Sequence, residues 1–350
     1  MTTEVDGTDP RPPSRDELAA LVPPAQILHR TQHYIGDSVA VSRARIAPGD
    51  AAVIQALYGF LGGLYGLVSP RLDGGAAAIA ALGGFLTATR FEALARDIGR
   101  LGATLEAAHV PIELRKVYHD VRGGGLPALL LHLDAVTCGE AVPQDLERIF
   151  VLSRDQLKII RNAIPDLDPQ GYARDLEDRA HTTDLLRAKW STPTYRVDDV
   201  EATLRLECDF DGTVSERCME FAALDRVIYN LVNNAARFAA DGRVDLVIFP
   251  ITPVPPGAAT DLRFVVMNRV TPAHRERIHA DLGDRLDGVF ASDYTTGGHG
   301  LGLRIVGDFV THGYGLPSLR VALNDGYLGA RLVRDTFVAW FHWPAHRSPA

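Results

Sequence analysis

The spacing of apolar residues changes character along the chain. From residue 25 to residue 164 it keeps the three-to-four-residue period of helices, and beyond residue 200 it includes short runs typical of strands. The sequence therefore predicts a helical first half followed by an α/β sandwich, a mixed sheet with helices on one face. The predicted strands are Thr203–Phe210, Arg243–Ile251, Leu262–Met267, Ser318–Leu323 and Phe337–Trp343.

Proline-rich and polar stretches divide the chain into four segments. Residues 1–24 are polar and rich in proline, which predicts a mobile tail. Residues 25–90 are predicted to form a helical domain, residues 91–168 an antiparallel helical hairpin, and residues 169–350 the α/β sandwich. The stretch Pro165–Pro169 marks the end of the helical part.

The predicted hairpin carries more apolar surface than two helices can bury. One helix is predicted from Phe91 through the segment around His119, and a second returns over Gln144–Ile164. We expect two copies of the chain to bury this surface together as a dimeric four-helix bundle. The apolar residues concerned are Leu126, Leu129, Leu130, Leu133, Leu146, Phe150 and Leu157.

A glycine-rich stretch over residues 294–303 leads directly into an apolar helix pattern. Gly298, Gly300 and Gly302 leave backbone amides open to a ligand, because no Cβ stands in the way. These amides and the N-terminus of the following helix predict a site for a phosphate anion. A turn without a ligand has the same composition, so the stretch alone leaves both interpretations open.

The predicted helix over residues 224–238 carries two asparagines one turn apart, Asn230 and Asn234. Asparagine is a poor helix former, and residues four apart share one helix face. The pair therefore indicates a face that meets a polar ligand, with a solvated face as the alternative. Arg237 follows on the same side, where it could meet a phosphate.

His119 and Asp120 are a third candidate pair. His119 lies off the apolar stripe of its predicted helix, which contains Leu114, Val117 and Val121. A neutral imidazole is a workable nucleophile near neutral pH, and an adjacent carboxylate can orient it and take its proton. An ordinary surface pair is the alternative.

Together these segments resemble the H and N boxes of two-component sensor histidine kinases, whose ATP-binding domain has the GHKL (Bergerat-type) fold. The resemblance implies that His119 accepts the γ-phosphoryl group of ATP and that Asp120 is its acidic neighbour. It also implies that Asn234 holds Mg²⁺ against the triphosphate, with Asn230 one turn earlier and Arg237 at the phosphates.

The glycine-rich stretch is similar to the G2 box of the same family, and residues 289–294 resemble the F box of the mobile lid over ATP. The resemblance implies that the G2 segment surrounds the nucleotide. Its residues are Gly298, His299, Gly300, Leu301, Gly302 and Leu303.

Two positions depart from the family's pattern. Asn268 stands where an adenine-binding aspartate is expected, and the glycines that follow it in the family are missing. Gly123 stands four residues after His119, where threonine or asparagine would position water for phosphatase activity. These departures predict weak binding of ATP and weak phosphatase activity.

Composition and charge exclude several other classes of protein. The net charge of −8 argues against a nucleic-acid-binding surface. Cys138, Cys208 and Cys218 show no metal-ligand spacing, and an odd count without a signal peptide fits a reducing cytoplasm. The apolar run over residues 52–68 is at the short end of what a membrane helix needs, so the sequence favours a soluble helical domain.

These features predict a cytoplasmic, homodimeric histidine kinase that uses ATP and Mg²⁺. Residues 25–90 would be a sensory or accessory domain and residues 91–168 the dimerisation and phosphotransfer domain. An aspartate of a separate response regulator would take the phosphoryl group from His119. Two alternatives remain: a non-catalytic histidine phosphotransfer dimer with a degenerate nucleotide pocket, and a GHKL protein that binds a partner.

Overall fold

The computed structural model describes residues 12–21, 40–102, 110–123, 125–191, 194–197, 200–283, 286, 288–291 and 302–349. The chain forms two compact units. The helical unit comprises residues 35–178 and 217–222, and the sheet unit comprises residues 1–34, 179–216 and 223–350.

The helices and strands of the described residues alternate only in the second half of the chain. The helices are α1 (Arg15–Ala20), α2 (Pro48–Val68), α3 (Gly75–Ala88), α4 (Phe91–Gly99), α5 (Ile112–Arg122), α6 (Leu126–Cys138), α7 (Pro143–Ala163), α8 (Pro169–Asp175), α9 (Thr183–Trp190), α10 (Cys218–Phe238), α11 (Pro272–Leu282), α12 (Gly288–Ala291), α13 (Gly302–Gly313) and α14 (Leu319–Asn324). The strands are β1 (Asp178–Thr182), β2 (Thr194–Val197), β3 (Val200–Cys208), β4 (Gly212–Arg217), β5 (Arg243–Pro250), β6 (Ala259–Arg269), β7 (Leu328–Val333) and β8 (Thr336–Arg347).

The helical unit buries its apolar face within a single chain. Helix α7, the predicted returning helix, is confirmed and packs against α2, α5 and α6, while α3 packs on α6 and α7. Tyr65 of α2 stacks on Phe150 of α7, with ring centroids 5.2 Å apart. The expected dimeric four-helix bundle is not confirmed, because α2 and α3 already pack against α7 and α6 within one chain, while Leu130 and Phe150 remain half-buried. Side chains that are at most 1 % exposed here are Leu126, Leu129, Leu133 and Leu146.

The predicted continuous helix from Phe91 to His119 is also wrong. Helix α4 ends at Gly99, and α5 begins only at Ile112. Pro111 precedes α5 at the N-cap position. Proline lacks the amide hydrogen that a helix interior needs, so it favours the beginning of a new helix over the continuation of an old one.

Helix α2 is long and apolar enough, by length and composition alone, to cross a membrane. Its side chains Leu57, Leu61 and Leu64 are at most 1 % exposed inside the helical unit. A core helix of a soluble bundle has the same properties, and the expectation of a soluble domain stays a prediction.

The sheet is mixed, as predicted. Its strands follow the order β1-β4-β8-β6-β5-β3-β2, and β7 pairs with β8. Strands β3 and β5 run parallel, whereas β5, β6 and β8 run antiparallel to one another in turn. The strand predicted at Ser318–Leu323 is wrong: this segment forms α14, and the Ser318 side chain caps it by accepting a hydrogen bond from the Val321 amide.

Helix α1 covers one face of the sheet, and α13 lies on the other. Leu18 is 1 % exposed and packs in an apolar cluster with Phe249, Val265 and Trp340. Trp343 alternates with Trp340 along β8, so it faces the opposite side, where it lies against α13. The structure therefore differs from the expected mobile tail at residues 12–21 and from the expected single layer of helices.

A buried arginine holds α1 on the sheet. The Arg263 side chain is 0 % exposed, and its Nη1 donates to the carbonyls of Leu18, at 2.8 Å, and Ala19, at 3.0 Å. Its Nε donates to Nε2 of His342 at 2.8 Å. Burial lowers the pKa of Arg263 to about 10, so this contact carries a desolvation cost. Two ion pairs flank the helix, Arg15–Asp209 and Glu17–Arg334.

Leu18→Ala should release α1 and destabilise the sheet unit by about 2–5 kcal/mol, because it removes buried methyl groups from the cluster. Denaturant unfolding followed by tryptophan fluorescence measures this, since Trp340 lies in the same cluster. Ala20→Ser, at an exposed position of the same helix, is the control. Equal midpoints for the two variants would contradict the packing described.

Candidate active site

Helix α10 confirms the helix predicted around Asn230 and Asn234. It carries a third asparagine, Asn233, on a different side. Asn230 and Asn234 lie on one face and are half-buried. Asn230 Nδ2 donates to the Arg226 carbonyl at 2.9 Å, which leaves its Oδ1 to face away from the helix. Asn233 points elsewhere and accepts a hydrogen bond from the Tyr195 hydroxyl at 2.6 Å.

Gly302 meets the asparagine face. A Cβ placed on Gly302 would lie 2.9 Å from Oδ1 of Asn230 and 3.5 Å from Nδ2 of Asn234. No side chain fits at this position without displacing the asparagines. Gly302 is also the first residue of α13, so the positive end of a 12-residue helix lies beside two side-chain amides.

The remainder of the glycine-rich segment lies largely outside the described residues. Leu303 is in the first turn of α13 and half-buried. Gly298, His299, Gly300 and Leu301 are outside the described residues, as are positions 292–294 of the expected lid. The expected lid segment begins in α12, where Val289 and Phe290 are buried.

Arg237 lies in the last turn of α10 and its side chain is exposed. It is one turn from Asn234 and on the solvent side of the helix end. Because this guanidinium is already exposed to solvent, it can approach a phosphate without first leaving a buried position.

Asn268 is enclosed by the protein. Its side chain is 4 % exposed, and Nδ2 donates to the Arg269 carbonyl at 3.1 Å. Asn268 lies next to the end of β6, and the chain then enters α11 after Thr271 without a glycine loop. His274 of α11 stacks on Phe238 of α10, with centroids 4.6 Å apart. The amide that was expected to read adenine is therefore already bonded to the main chain.

A buried ionic network supports α10 from behind and was missed by the sequence analysis. Lys189 of α9 pairs with Asp225 of α10, and both side chains are at most 6 % exposed. Trp190 Nε1 donates to Asp225 Oδ1 at 3.2 Å, and Lys189 lies over the ring of Tyr229 at 4.7 Å. The signal in the sequence is the spacing of Asp225, Tyr229 and Asn233, which are four residues apart along one helix face.

His119 lies in the last turn of α5 in the helical unit. Its side chain is 24 % exposed, and Nδ1 faces Oδ1 of the buried Asp120 at 3.6 Å. Within the described residues Nδ1 is buried and has no hydrogen-bond partner. The helix ends at Arg122, directly before Gly123, a residue type that disfavours helix. One ring nitrogen is thus turned inward toward a carboxylate, while the ring edge remains accessible.

The described residues fit the phosphate end of a magnesium nucleotide. No group of three or more His, Cys, Asp or Glu side chains in the described ranges could hold a metal ion by itself. Mg²⁺ commonly takes few protein ligands and completes its shell with substrate phosphates and water. The amide oxygen of Asn230, beside the space that a Cβ on Gly302 would fill, suits that arrangement, and the Asn234 amide lies next to the same space. The base end fits less well, because Asn268 is enclosed.

Residues 220–344 match the protein family described as Histidine kinase-, DNA gyrase B-, and HSP90-like ATPase. The expected GHKL ATPase domain is therefore confirmed for this part of the chain, and the family implies that the domain binds ATP. No curated protein matches the chain.

Three solved histidine kinase structures are similar to the chain at low identity. Full-length ShkA in complex with AMPPNP is 19 % identical over 63 % of this chain and 40 % of its own, with a TM-score of 0.33. The mycobacterial sensor histidine kinase MprB is 17 % identical over 50 % of this chain and 100 % of its own, with a TM-score of 0.28. The Acinetobacter baumannii histidine kinase AdeS is 13 % identical over 66 % of this chain and 97 % of its own, with a TM-score of 0.26. The chain spans about 40 % of the length of ShkA.

Proposed function

We propose that this chain is a histidine kinase that transfers the γ-phosphoryl group of ATP to its own His119. The observation that carries the proposal is the meeting of Asn230, Asn234 and Gly302 at the start of α13, inside a domain that matches an ATPase family. The partly exposed imidazole of His119 beside Asp120 supplies an acceptor of the right chemistry.

The chemistry of the acceptor follows from the two ring nitrogens. With Nδ1 turned toward Asp120, Nε2 would carry the lone pair that forms the new bond to phosphorus. The bond between phosphorus and the leaving oxygen breaks in the same step. Asp120 is 3.6 Å away in this structure, and such contacts commonly shorten when substrate is bound. It would stabilise the positive charge on the ring and take the proton from Nδ1.

ATP would be held at its phosphates by the sheet unit. Asn230 Oδ1 and, after rotation of its amide group, Asn234 Oδ1 would hold Mg²⁺. The N-terminus of α13 with Arg237 would face phosphate oxygens. When bound, Mg²⁺ neutralises charge that builds up on the phosphates during transfer. The roles of Gly298, His299, Gly300, Leu301 and Leu303 at the nucleotide are part of the proposal.

The partner in this proposal is a response-regulator receiver domain whose aspartate takes the phosphoryl group from His119, in the cytoplasm. Gly123 has no side chain to align water, so we expect little phosphatase activity toward that partner. The homodimer stays a prediction. Since α2 and α3 already cover the apolar face of α6 and α7, a dimer would form through another surface, and sedimentation would measure its mass.

A non-catalytic phosphotransfer protein is the second candidate, and Asn268 favours it. Its amide nitrogen is bonded to the Arg269 carbonyl, and the glycines expected beyond it are missing. Such a protein would keep His119 as an acceptor and receive phosphate from a phosphorylated regulator. Weak binding of ATP, with poor discrimination against GTP, is expected in either case because the base end fits less well than the phosphate end.

Incubation of the chain with γ-labelled ATP and Mg²⁺ tests the proposal. We expect a phosphoprotein that loses its label in acid and keeps it in base, as a phosphorus–nitrogen bond does. A chain that takes label only from a phosphorylated receiver domain, and none from ATP, would favour the non-catalytic candidate.

Gly302→Ala should weaken binding of Mg²⁺–ATP at least about tenfold, which corresponds to roughly 1.4 kcal/mol. The added Cβ would lie 2.9 Å from Asn230 Oδ1 and force that side chain to move. Calorimetric titration with and without Mg²⁺ measures the change. Gly84→Ala, at a helical glycine where a Cβ meets nothing within 4 Å, is the control. If Gly302→Ala binds as tightly as Gly84→Ala, the phosphates lie elsewhere.

A further inference from the structure

The last turn of α5 carries His119 and has backbone carbonyls that the helix itself cannot satisfy. A helix leaves its last four carbonyls without intrahelical donors. Because α5 ends at Arg122, the carbonyl of His119 and those after it need donors from elsewhere. The Gly123 amide supplies the first, with a hydrogen bond of 2.7 Å to the His119 carbonyl.

Gln156 of α7 supplies the next two. Its side chain is 0 % exposed, and Nε2 donates to the Asp120 carbonyl at 3.2 Å and to the Val121 carbonyl at 3.0 Å. A primary amide has two N–H groups, so one side chain satisfies both acceptors. Gln156 is thus a cap that reaches the end of α5 from a different helix.

A buried glutamine at this position is unfavourable if its only role is to pack. Gln156 stands on the buried face of α7, with Leu152 and Ile160 one turn to either side, where an apolar residue would pack without desolvation of an amide. Its Oε1 is buried and has no hydrogen-bond partner within the described residues. The two bonds to the end of α5 are what this side chain contributes in return.

Gly123 fixes the same helix end from the other side. A Cβ on Gly123 would lie 2.6 Å from the His119 carbonyl oxygen, so only glycine permits the close approach. The Gly123 carbonyl in turn accepts from the Leu126 amide at 3.1 Å, at the first residue of α6. The turn that bears His119 is therefore joined to α6 through Gly123 and to α7 through Gln156.

We propose that Gln156 is a positioning residue for phosphorylation of His119. By bonding to the carbonyls of Asp120 and Val121, it holds the turn that carries the imidazole and so sets where the ring nitrogen meets the phosphoryl group. Gln156 acts through the main chain of α5 and touches no reacting atom. The inference rests on the proposed function, in which His119 is the acceptor.

Gln156→Met removes the donors and keeps the length of the side chain. We expect the rate of His119 phosphorylation at saturating ATP to fall about tenfold to a hundredfold, because a small misplacement of a reacting group has effects of that size. The KM for ATP should stay unchanged, since the residues proposed to hold ATP belong to the sheet unit. Gln144→Met is the matched control, at an exposed glutamine in the first turn of the same helix.

A spectroscopic measurement separates this inference from the proposed function. In Gln156→Met the Gly123 amide should exchange with solvent about tenfold faster, because opening of the helix end becomes easier, while amides in the middle of α6 keep their rates. The ring signals of His119 in NMR spectra should broaden or split. Gln156→Glu, which keeps the shape but is an acceptor only when ionised, should do the same and is the substitute if the methionine variant fails to fold.

Each result has one meaning. If the unaltered chain takes no label from ATP, the proposed function fails, and the exchange and NMR measurements still decide whether Gln156 holds the turn. If labelling occurs and both Gln156 variants match Gln144→Met in rate, exchange and ring signals, the positioning role is overturned. A fall in thermal stability with unchanged rate and ring signals would also overturn it, since Gln156 would then be structural only.

Discussion

His119→Ala should abolish ATP-dependent labelling of the chain completely. Alanine has no nitrogen that can bond to phosphorus, and the proposal gives no other residue this role. The substitution should leave the helical unit folded, because the His119 side chain is 24 % exposed and its Nδ1 has no hydrogen-bond partner in the described residues. Acid-labile label counted per chain, with circular dichroism to check the fold, measures the effect.

His132→Ala is the matched control for this experiment. His132 belongs to the same unit and also has a carboxylate partner, with Nδ1 2.8 Å from Asp145 Oδ1 and a side chain 26 % exposed. It should keep full labelling. Label that persists at the full level in His119→Ala would show that His119 is not the phosphoacceptor. Equal loss of label in both variants would also contradict the assignment.

Asp225→Ala should destabilise the sheet unit by about 3–5 kcal/mol, the largest effect on stability that we expect. The substitution leaves the Lys189 ammonium buried without this carboxylate and removes the acceptor of the Trp190 indole. Tryptophan fluorescence during denaturant unfolding reports this unit alone, because the three tryptophans, Trp190, Trp340 and Trp343, all belong to it.

An exposed ion pair in the same unit provides the comparison. Arg269 Nη2 lies 2.5 Å from Asp335 Oδ2, and the two side chains are 44 % and 23 % exposed. Asp335→Ala should therefore change stability by less than about 1 kcal/mol, as is usual for pairs open to solvent. Similar losses for Asp225→Ala and Asp335→Ala would show that the Lys189–Asp225 pair is open to water.

Local patterns in the sequence were sufficient to predict the two helices that carry Asn230, Asn234 and Gly302. The period of apolar residues around Asn230 and Asn234 defined α10, and the glycines before residue 303 marked the start of α13. That Gly302 meets both asparagines follows from how the two helices pack, which only the family resemblance indicated beforehand. Asn268 was placed at the end of its strand, yet its enclosure depends on the neighbouring strands, since Asn268 pairs with Val244 of β5 and Phe337 of β8.

The errors come from contacts between distant segments. The excess of apolar residues around Leu129 and Leu133 was read as a dimer surface, because nothing local reveals that α3 and α7 pack against α6 within the same chain. Leu18 and Leu21 stand in a short, mostly polar segment, and the partners of Leu18 are more than 200 positions away, so periodicity could not identify α1 as part of the sheet unit. Gln156 has no local signal in the sequence, because its hydrogen bonds reach the end of another helix.

The docking of α1 means that the helical unit is inserted into the sequence of the sheet unit. The chain therefore passes between the units within residues 22–39, again after α8, and on either side of residues 217–222. Cleavage of the chain within residues 22–39 would make α1 a separate peptide. Its docking on the sheet would then no longer benefit from the effective concentration of about millimolar that the covalent connection provides. Fragments that begin at residue 169, the boundary expected from the sequence, would likewise have Arg263 and the apolar cluster open to water.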